Sequence, residues 1–343
     1  MRCYTRILMA RPGLLVSAPR QLFESFFSPT ERKRLDGAFT WERIEADTIS
    51  REFRQKLQTA DALITTWDSP RFEENLPQLA PRLRIIAHCG GEVKSRFTPS
   101  LFQALTITNA AAPMARATAE MGATLLLYCA RNIDLYRTAL RRKSNRIYKQ
   151  VHIHGSPESM VGRTVAMIGF GRIGRALVDL MRGFELNWLV HDPYANRALA
   201  RRYPVRFASL RELLPEAHLL VLTAALTDET RGLLGARNLA ALPDGATVIN
   251  IARGGLIDLN ALRKEVRSGR LRCALDVTDP VEPLSVNDPL RTMPGAIVTP
   301  HIAGSGLHVR REIARVVLDD LQRFFSGGKV ANRVTTAMLE RMT

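Results

Sequence analysis

One six-residue run, Gly169-Phe170-Gly171-Arg172-Ile173-Gly174, constrains the fold of this chain more than any other feature. It follows the short apolar stretch Thr164–Ile168 and opens a helical pattern from Ile173 to about Arg182. In such a G-x-G-x-x-G turn the first glycine permits the tight bend and the second lets a pyrophosphate approach the backbone. The third lets the helix pack on the strand, and the helix N-terminus then faces the phosphates. The six letters alone are a weak signal. Here Asp192 also stands eighteen residues past Gly174, at the end of the next strand, Trp188–Val190, which is the context a dinucleotide site requires. Asp192 would accept hydrogen bonds from the adenosine ribose hydroxyls and repel a 2′-phosphate, which favours NAD over NADP. Arg197 nearby weakens that preference without reversing it. Gly169, Gly171, Arg172, Ile173, Gly174 and Asp192 are therefore the candidate cofactor residues, with Thr223 at the end of Leu219–Leu222.

A chain of 343 residues exceeds what one hydrophobic core usually organises, so two domains are expected. The first part alternates strand-like and helix-like segments: a strand at Arg6–Ala10, a helix around Leu22–Leu35, then strands at Ala62–Thr66 and Arg84–Ala87. A long apolar helix follows from about Thr118 to Asn132. The second series runs through Thr164–Ile168, Trp188–Val190, Leu219–Leu222, Thr247–Asn250, Cys273–Val277 and Ala296–Val298. Between the last of these lies a helix at Asn260–Ser268, capped by Asp258 and ended by Gly269. Strands alternating with helices at this spacing predict a doubly wound parallel sheet, α/β in class. An amphipathic helix over Leu307–Phe325 should fold back on the first domain, and the residues after Gly327 read as a tail.

Composition excludes several classes. With 46% apolar and 24% charged residues the chain is an ordinary globular protein, and no apolar run is long enough to span a bilayer. Arg11-Pro12 breaks the apolar run Ile7–Ala10, which argues against a secretory signal. Cys3, Cys89, Cys129 and Cys273 are scattered and form no C-x-x-C pair, so they read as reduced thiols in a cytoplasmic protein, not as a disulfide frame. No metal site is expected, since nothing completes a set around His152 and His154. The net charge of +16 draws in anionic cofactors and substrates. Its one cluster, Arg137, Arg141, Arg142, Lys143, Arg146 and Lys149 beside Tyr136 and Tyr148, lacks any accompanying nucleic-acid motif. It reads as a solvated face or a subunit arm, and nucleic acid is not the expected partner.

Three later segments place polar residues at strand ends: Asn250–Gly255, Ala274–Leu284 and Thr299–Ser305. In an open α/β sheet the ligand crevice lies beyond the carboxyl ends of the strands, so Arg253, Asp276, Glu282 and His301 can share one site. Together they supply an acid–base pair and an anion clamp. That set suits hydride transfer to a 2-oxo acid. A histidine held protonated by a carboxylate supplies the proton near neutral pH, and an arginine fork holds the substrate carboxylate and polarises the carbonyl.

With these segments in place, the chain resembles the D-isomer-specific 2-hydroxyacid dehydrogenase family, from about Leu83 to Val330 and most closely over Val165–Gly304. The resemblance implies Arg253 as the substrate-binding arginine, His301 as the acid–base, Glu282 as its partner, and Asp276 near the nicotinamide carboxamide. It also implies a flavodoxin-like substrate domain, residues 1–112 and 306–343, with a Rossmann cofactor domain, residues 113–305, inserted into it. A homodimer is implied, formed through the Thr118–Asn132 helix and the basic arm. The chain departs from the family pattern at His88-Cys89-Gly90-Gly91-Glu92-Val93-Lys94. Gly90 and Gly91 keep backbone N–H groups available to a substrate carboxylate, the family's acidic position is lost, and Glu92 must point away. His88 reads as a buried structural histidine. The segment Leu222–Thr227 lacks the histidine and proline the family often has there. Within this superfamily Glu282 argues against formate dehydrogenase activity. Phosphite dehydrogenase and an NAD-sensing protein of the corepressor type stand as the alternatives.

Overall fold

The computed structural model describes residues 10–141, 146–154, 159–340 and 342. The chain divides into two compact units, Met1–Met114 with Gly306–Thr343, and Ala115–Ser305.

The first unit is built on five parallel strands, β1 (Gly13–Ser17), β2 (Thr40–Ile44), β3 (Ala62–Thr65), β4 (Ile85–His88) and β5 (Thr106–Asn109), in the order β2-β1-β3-β4-β5. Every residue of β3 and β4 is buried, as parallel strands covered on both faces must be. Leu57, Leu63, Phe72, Ile86 and Phe97 belong to the core on one side. The strand expected at Arg6–Ala10 lies outside the described residues apart from Ala10, and β1 begins after Pro12. The single helix expected over Leu22–Leu35 is two, Arg20–Phe26 and Pro29–Ala38. Glu31 of the second accepts from the Ser28 N–H at 3.1 Å. Pro29 takes its first position, where a missing N–H costs nothing.

The helix Leu307–Phe325 belongs to this unit, burying Ile313, Val317, Leu318 and Leu321 and receiving Arg34 on Asp319 at 2.7 Å. The residues beyond it are not a tail. The Val334 N–H donates to the Ile107 carbonyl at 2.8 Å, and the Asn109 N–H donates to the Asn332 carbonyl at 3.2 Å. The buried carboxylate of Asp320 accepts from the Ala331 N–H and from Asn332 Nδ2, both at 2.9 Å. A bridge this short has no periodic pattern to betray it in sequence.

The second unit carries seven parallel strands, β6 (Thr164–Ile168), β7 (Asn187–His191), β8 (Val205–Phe207), β9 (Leu219–Leu222), β10 (Thr247–Asn250), β11 (Arg272–Leu275) and β12 (Ala296–Val298). Their order is β12-β11-β10-β9-β6-β7-β8. It reverses between β6 and β9, which is where a doubly wound sheet opens its ligand crevice. The helix Leu259–Arg267 starts on Asp258, whose Oδ1 accepts from the Asn260 and Ala261 N–H groups at 2.9 and 3.0 Å. It ends at Gly269, φ +78°. The long helix spans Ala111–Ala130 and starts earlier than the expected Thr118, because Pro113 falls in its first turn, where proline is tolerated.

The basic arm forms two helices, Ile133–Arg141 and Arg146–His154, and the first buries none of its side chains. Arg142, Lys143 and the His154 side chain lie outside the described residues, as does Cys3. Among the described residues no helix is long and apolar enough to cross a membrane. Nor does any group of three or more His, Cys, Asp or Glu side chains stand ready for a metal.

Candidate active site

The glycine turn lies at the β6–β9 switch point, and the structure separates the work of its three glycines. Gly169 has φ +95°, and a Cβ there would come within 2.4 Å of the Ala224 backbone nitrogen. At Gly174 a Cβ would meet the Gly169 carbonyl oxygen at 2.8 Å and Met167 Sδ at 2.9 Å. These two positions are fixed by the protein's own packing. Gly171 differs, because no atom lies within 4 Å of a Cβ built there. The space beside it is what a pyrophosphate needs. Gly171 precedes the helix Arg172–Leu180, whose start has no side-chain cap, so its first N–H groups face that space. Arg172 and Ile173 are its first two residues. The turn is pinned from two sides: Thr223 Oγ1 donates to the Gly169 carbonyl at 2.6 Å, and the Phe170 N–H donates to Asp192 Oδ2 at 2.7 Å. Asp192 Oδ1 accepts from the Tyr194 N–H at 2.9 Å. Arg197 lies with its guanidinium 4.0 Å from the centre of the Phe207 ring. These residues fit a dinucleotide.

Asp276, Glu282 and His301 come together beyond β11 and β12, and Arg253 follows the neighbouring strand β10. His301 Nδ1 lies 2.9 Å from Glu282 Oε2, and Glu282 Oε1 accepts from the Thr278 N–H at 3.1 Å. His301 has φ +54°, an uncommon conformation for a residue with a side chain. Asp276, buried at the end of β11, holds that turn. Its backbone carbonyl accepts from the His301 N–H at 2.9 Å. Its carboxylate accepts from Thr299 Oγ1 at 2.6 Å and from the Ile302 and Ala303 N–H groups at 3.0 and 2.9 Å. Arg253 sits on the turn after β10, one guanidinium nitrogen donating to the Ala252 carbonyl at 2.7 Å. Asn250 shapes that turn: its Nδ2 donates to the Arg253 carbonyl at 2.8 Å and its Oδ1 accepts from the Ala252 N–H at 3.0 Å. Asn250 and Thr299 were not among the candidates read from sequence. Their signal was available, since both are polar residues closing an apolar strand.

Gly90 and Gly91 belong to the first unit, in the turn after β4. Their carbonyls are engaged, Gly90 by the Ala110 N–H and Gly91 by Asn109 Nδ2, both at 2.8 Å. Their N–H groups have no acceptor among the described residues. Glu92 does turn aside: its Oε1 accepts from the Ser95 N–H at 2.9 Å and its Oε2 from the Ser95 hydroxyl, closing a local turn. His88 is buried, with Nδ1 2.9 Å from Thr65 Oγ1. Burial, aided by the Arg96 charge, lowers its pKa to about 3, so the ring is neutral. Cys89, Cys129 and Cys273 are free, buried thiols. Burial raises Cys129 to about 11 and Cys273 to about 12, which makes neither a nucleophile near neutral pH.

Residues 123–303 match the family model described as the NAD-binding domain of D-isomer specific 2-hydroxyacid dehydrogenases. A glyoxylate reductase of Thermococcus gammatolerans is 30% identical over 279 residues, covering 80% of this chain and 82% of that protein. A D-3-phosphoglycerate dehydrogenase of Methanocaldococcus jannaschii is 27% identical over 288 residues, 82% of this chain. The match covers 53% of that enzyme, so the chain spans about half its length. The solved structure of a phosphoglycerate oxidoreductase from Rhizobium etli superposes with a TM-score of 0.75 at 26% identity, covering 94% of this chain and 98% of that one.

Proposed function

Because this chain belongs to the D-isomer-specific 2-hydroxyacid dehydrogenase family, we propose that it interconverts a small 2-oxo acid and its 2-hydroxy acid, chiefly as a reductase. The observation that carries the reading is the His301–Glu282 pair, held by Asp276 on the same strand ends that present Arg253. A bound nicotinamide dinucleotide would supply the hydride. Arg253 holds the substrate carboxylate and polarises the carbonyl as negative charge grows on its oxygen. His301 delivers the proton from Nε2, the ring nitrogen that Glu282 leaves free. Glu282 accepts from Nδ1–H, which sets the tautomer and the orientation of the ring. By the family resemblance, the N–H groups of Gly90 and Gly91 in the first unit are candidate donors to substrate oxygens. Asp276 serves this reaction through the His301 turn as much as through the carboxamide.

Asp192 supports NAD over NADP, because its carboxylate is fixed by two backbone N–H groups at the end of β7. The exposed apolar residues Leu135, Leu140, Tyr148 and Ile153 support the arm of a homodimer. Free thiols at Cys89, Cys129 and Cys273 support a reducing, cytoplasmic setting.

The test is oxidation of NADH against glyoxylate, hydroxypyruvate, pyruvate and bulkier 2-oxo acids, repeated with NADPH. Turnover of at least one small acid, faster with NADH, is the expected outcome. Oxidation with none of them would turn the reading toward an NAD-sensing binding protein.

A further inference from the structure

The turn that carries Arg253 and the loop that carries Glu282 touch through their backbones. A Cβ built on Gly254 would overlap the carbonyl group of Thr278 and stand 2.6 Å from the Asp279 nitrogen. Gly254 does not have a positive φ, so glycine is required there by this close approach and not by the shape of the turn. The strands behind the two segments, β10 and β11, are neighbours, with Asn250 opposite Leu275 at their ends. The Thr278–Asp279 peptide therefore lies against the residue that follows Arg253. Thr278 is buried, and both its donors serve its own loop. Its N–H donates to Glu282 Oε1 at 3.1 Å, and its Oγ1 donates to the Val281 carbonyl at 2.7 Å. Glu282 Oε2 in turn lies 2.9 Å from His301 Nδ1. A single residue thus stands between the arginine turn and the acid–base pair.

We propose that Thr278 is a positioning residue, which fixes the Glu282 carboxylate relative to Arg253 and, through Glu282, aims the His301 ring. The inference rests on the reductase reading. In that reaction the group that holds the substrate and the group that delivers the proton must keep one spacing, and a small misplacement is costly. Glu282 and His301 do not secure that spacing by themselves. Their side chains are 35% and 48% exposed, and a pair so open to solvent does not hold one geometry unaided. Thr278 supplies the hold twice. Its N–H occupies one carboxylate oxygen and leaves the other to His301. Its hydroxyl closes the loop from 278 to 281, which returns Glu282 to the backbone it came from. Valine keeps the branched shape at Cβ and loses the hydroxyl, so it releases the loop while leaving the contact with Gly254 in place.

The experiment follows NADH oxidation by the full chain with whichever of glyoxylate, hydroxypyruvate and pyruvate the wild type reduces fastest. In Thr278→Val, kcat should fall about tenfold, with the KM for the acid within about twofold. Thr278→Ser keeps the hydroxyl and should recover most of the lost kcat. Adding Thr278→Val to Glu282→Gln should lower kcat no further, because the effect runs through Glu282. A second readout does not depend on turnover. In a proton–nitrogen spectrum of protein labelled at histidine, the His301 Nδ1–H signal, assigned by its loss in His301→Ala, should be present in wild type and Thr278→Ser and broadened away in Thr278→Val. A Thr278→Val variant with wild-type kcat or an unchanged His301 signal overturns the role of Thr278 alone. So does a Thr278→Ser variant as slow as Thr278→Val, or a further loss in the Glu282→Gln background. A wild type that oxidises NADH with none of the three acids overturns the reductase reading, and this role with it.

Discussion

At the carboxyl edge of the seven-stranded sheet, the candidate catalytic groups are polar side chains on turns fixed by buried polar neighbours: Arg253 over Asn250, and His301 over Asp276. At the same edge of the five-stranded sheet stand the N–H groups of Gly90 and Gly91, which take no acceptor among the described residues, and the uncharged ring of His88. Both sheets are parallel and both reverse strand order at a switch point. Under the proposed function the difference follows from what each edge has to do. Moving a proton requires a titratable side chain with a fixed partner, whereas reading the shape of a small anion can be done by backbone donors and a neutral wall.

If that division holds, the largest effect belongs to the charged edge. His301→Ala should lower turnover by about 10²–10⁴ while NADH binding persists. Unchanged turnover in stopped-flow and steady-state assays would erase the contrast, since the proton would have to come from elsewhere. Next comes the glycine turn. Gly169→Ala forces a side chain into φ +95° against the Ala224 backbone, so urea unfolding should show a loss of about 1–3 kcal/mol. NADH titration should show weaker binding in the same variant. Normal stability and affinity would mean that the turn is free to rearrange.

The smallest effect sharpens the neutral edge. His88 titrates at about 3 in the folded protein and near 6.5 when unfolded. Between those values the unfolded chain binds the extra proton, so stability rises with pH and is lost as pH falls from about 6.5 toward 3. The slope is at most about 1.4 kcal/mol per pH unit. Urea midpoints at pH 7 and pH 5 should differ less in His88→Gln than in wild type. Equal slopes would mean that the ring is not held neutral, and the edge would lose its uncharged character.

The same division explains what the sequence disclosed. Strands β6, β9, β10 and β12 were legible to the residue, because a fully apolar run closed by Gly, Thr or Asn leaves a sharp boundary. Strands β2, β5 and β8 were not: β8 alternates half-buried and exposed residues at a sheet edge, and β2 does much the same until Ile44. Arg253, Glu282 and His301 announced themselves as charges in strand-end segments. Glu92 looked hostile to a carboxylate until its bonds to Ser95 showed where it turns.

The pairing of Asn332 and Val334 with β5 has a practical side. β5 is the last strand of its sheet, and an open strand edge presents unpaired N–H and C=O groups to any other chain that passes. Residues 331–334, tethered by Asp320, occupy that rim themselves. They act as a built-in guard against edge-to-edge aggregation. Truncation or a fusion joint placed at this segment would therefore trade solubility for convenience even if catalysis were untouched.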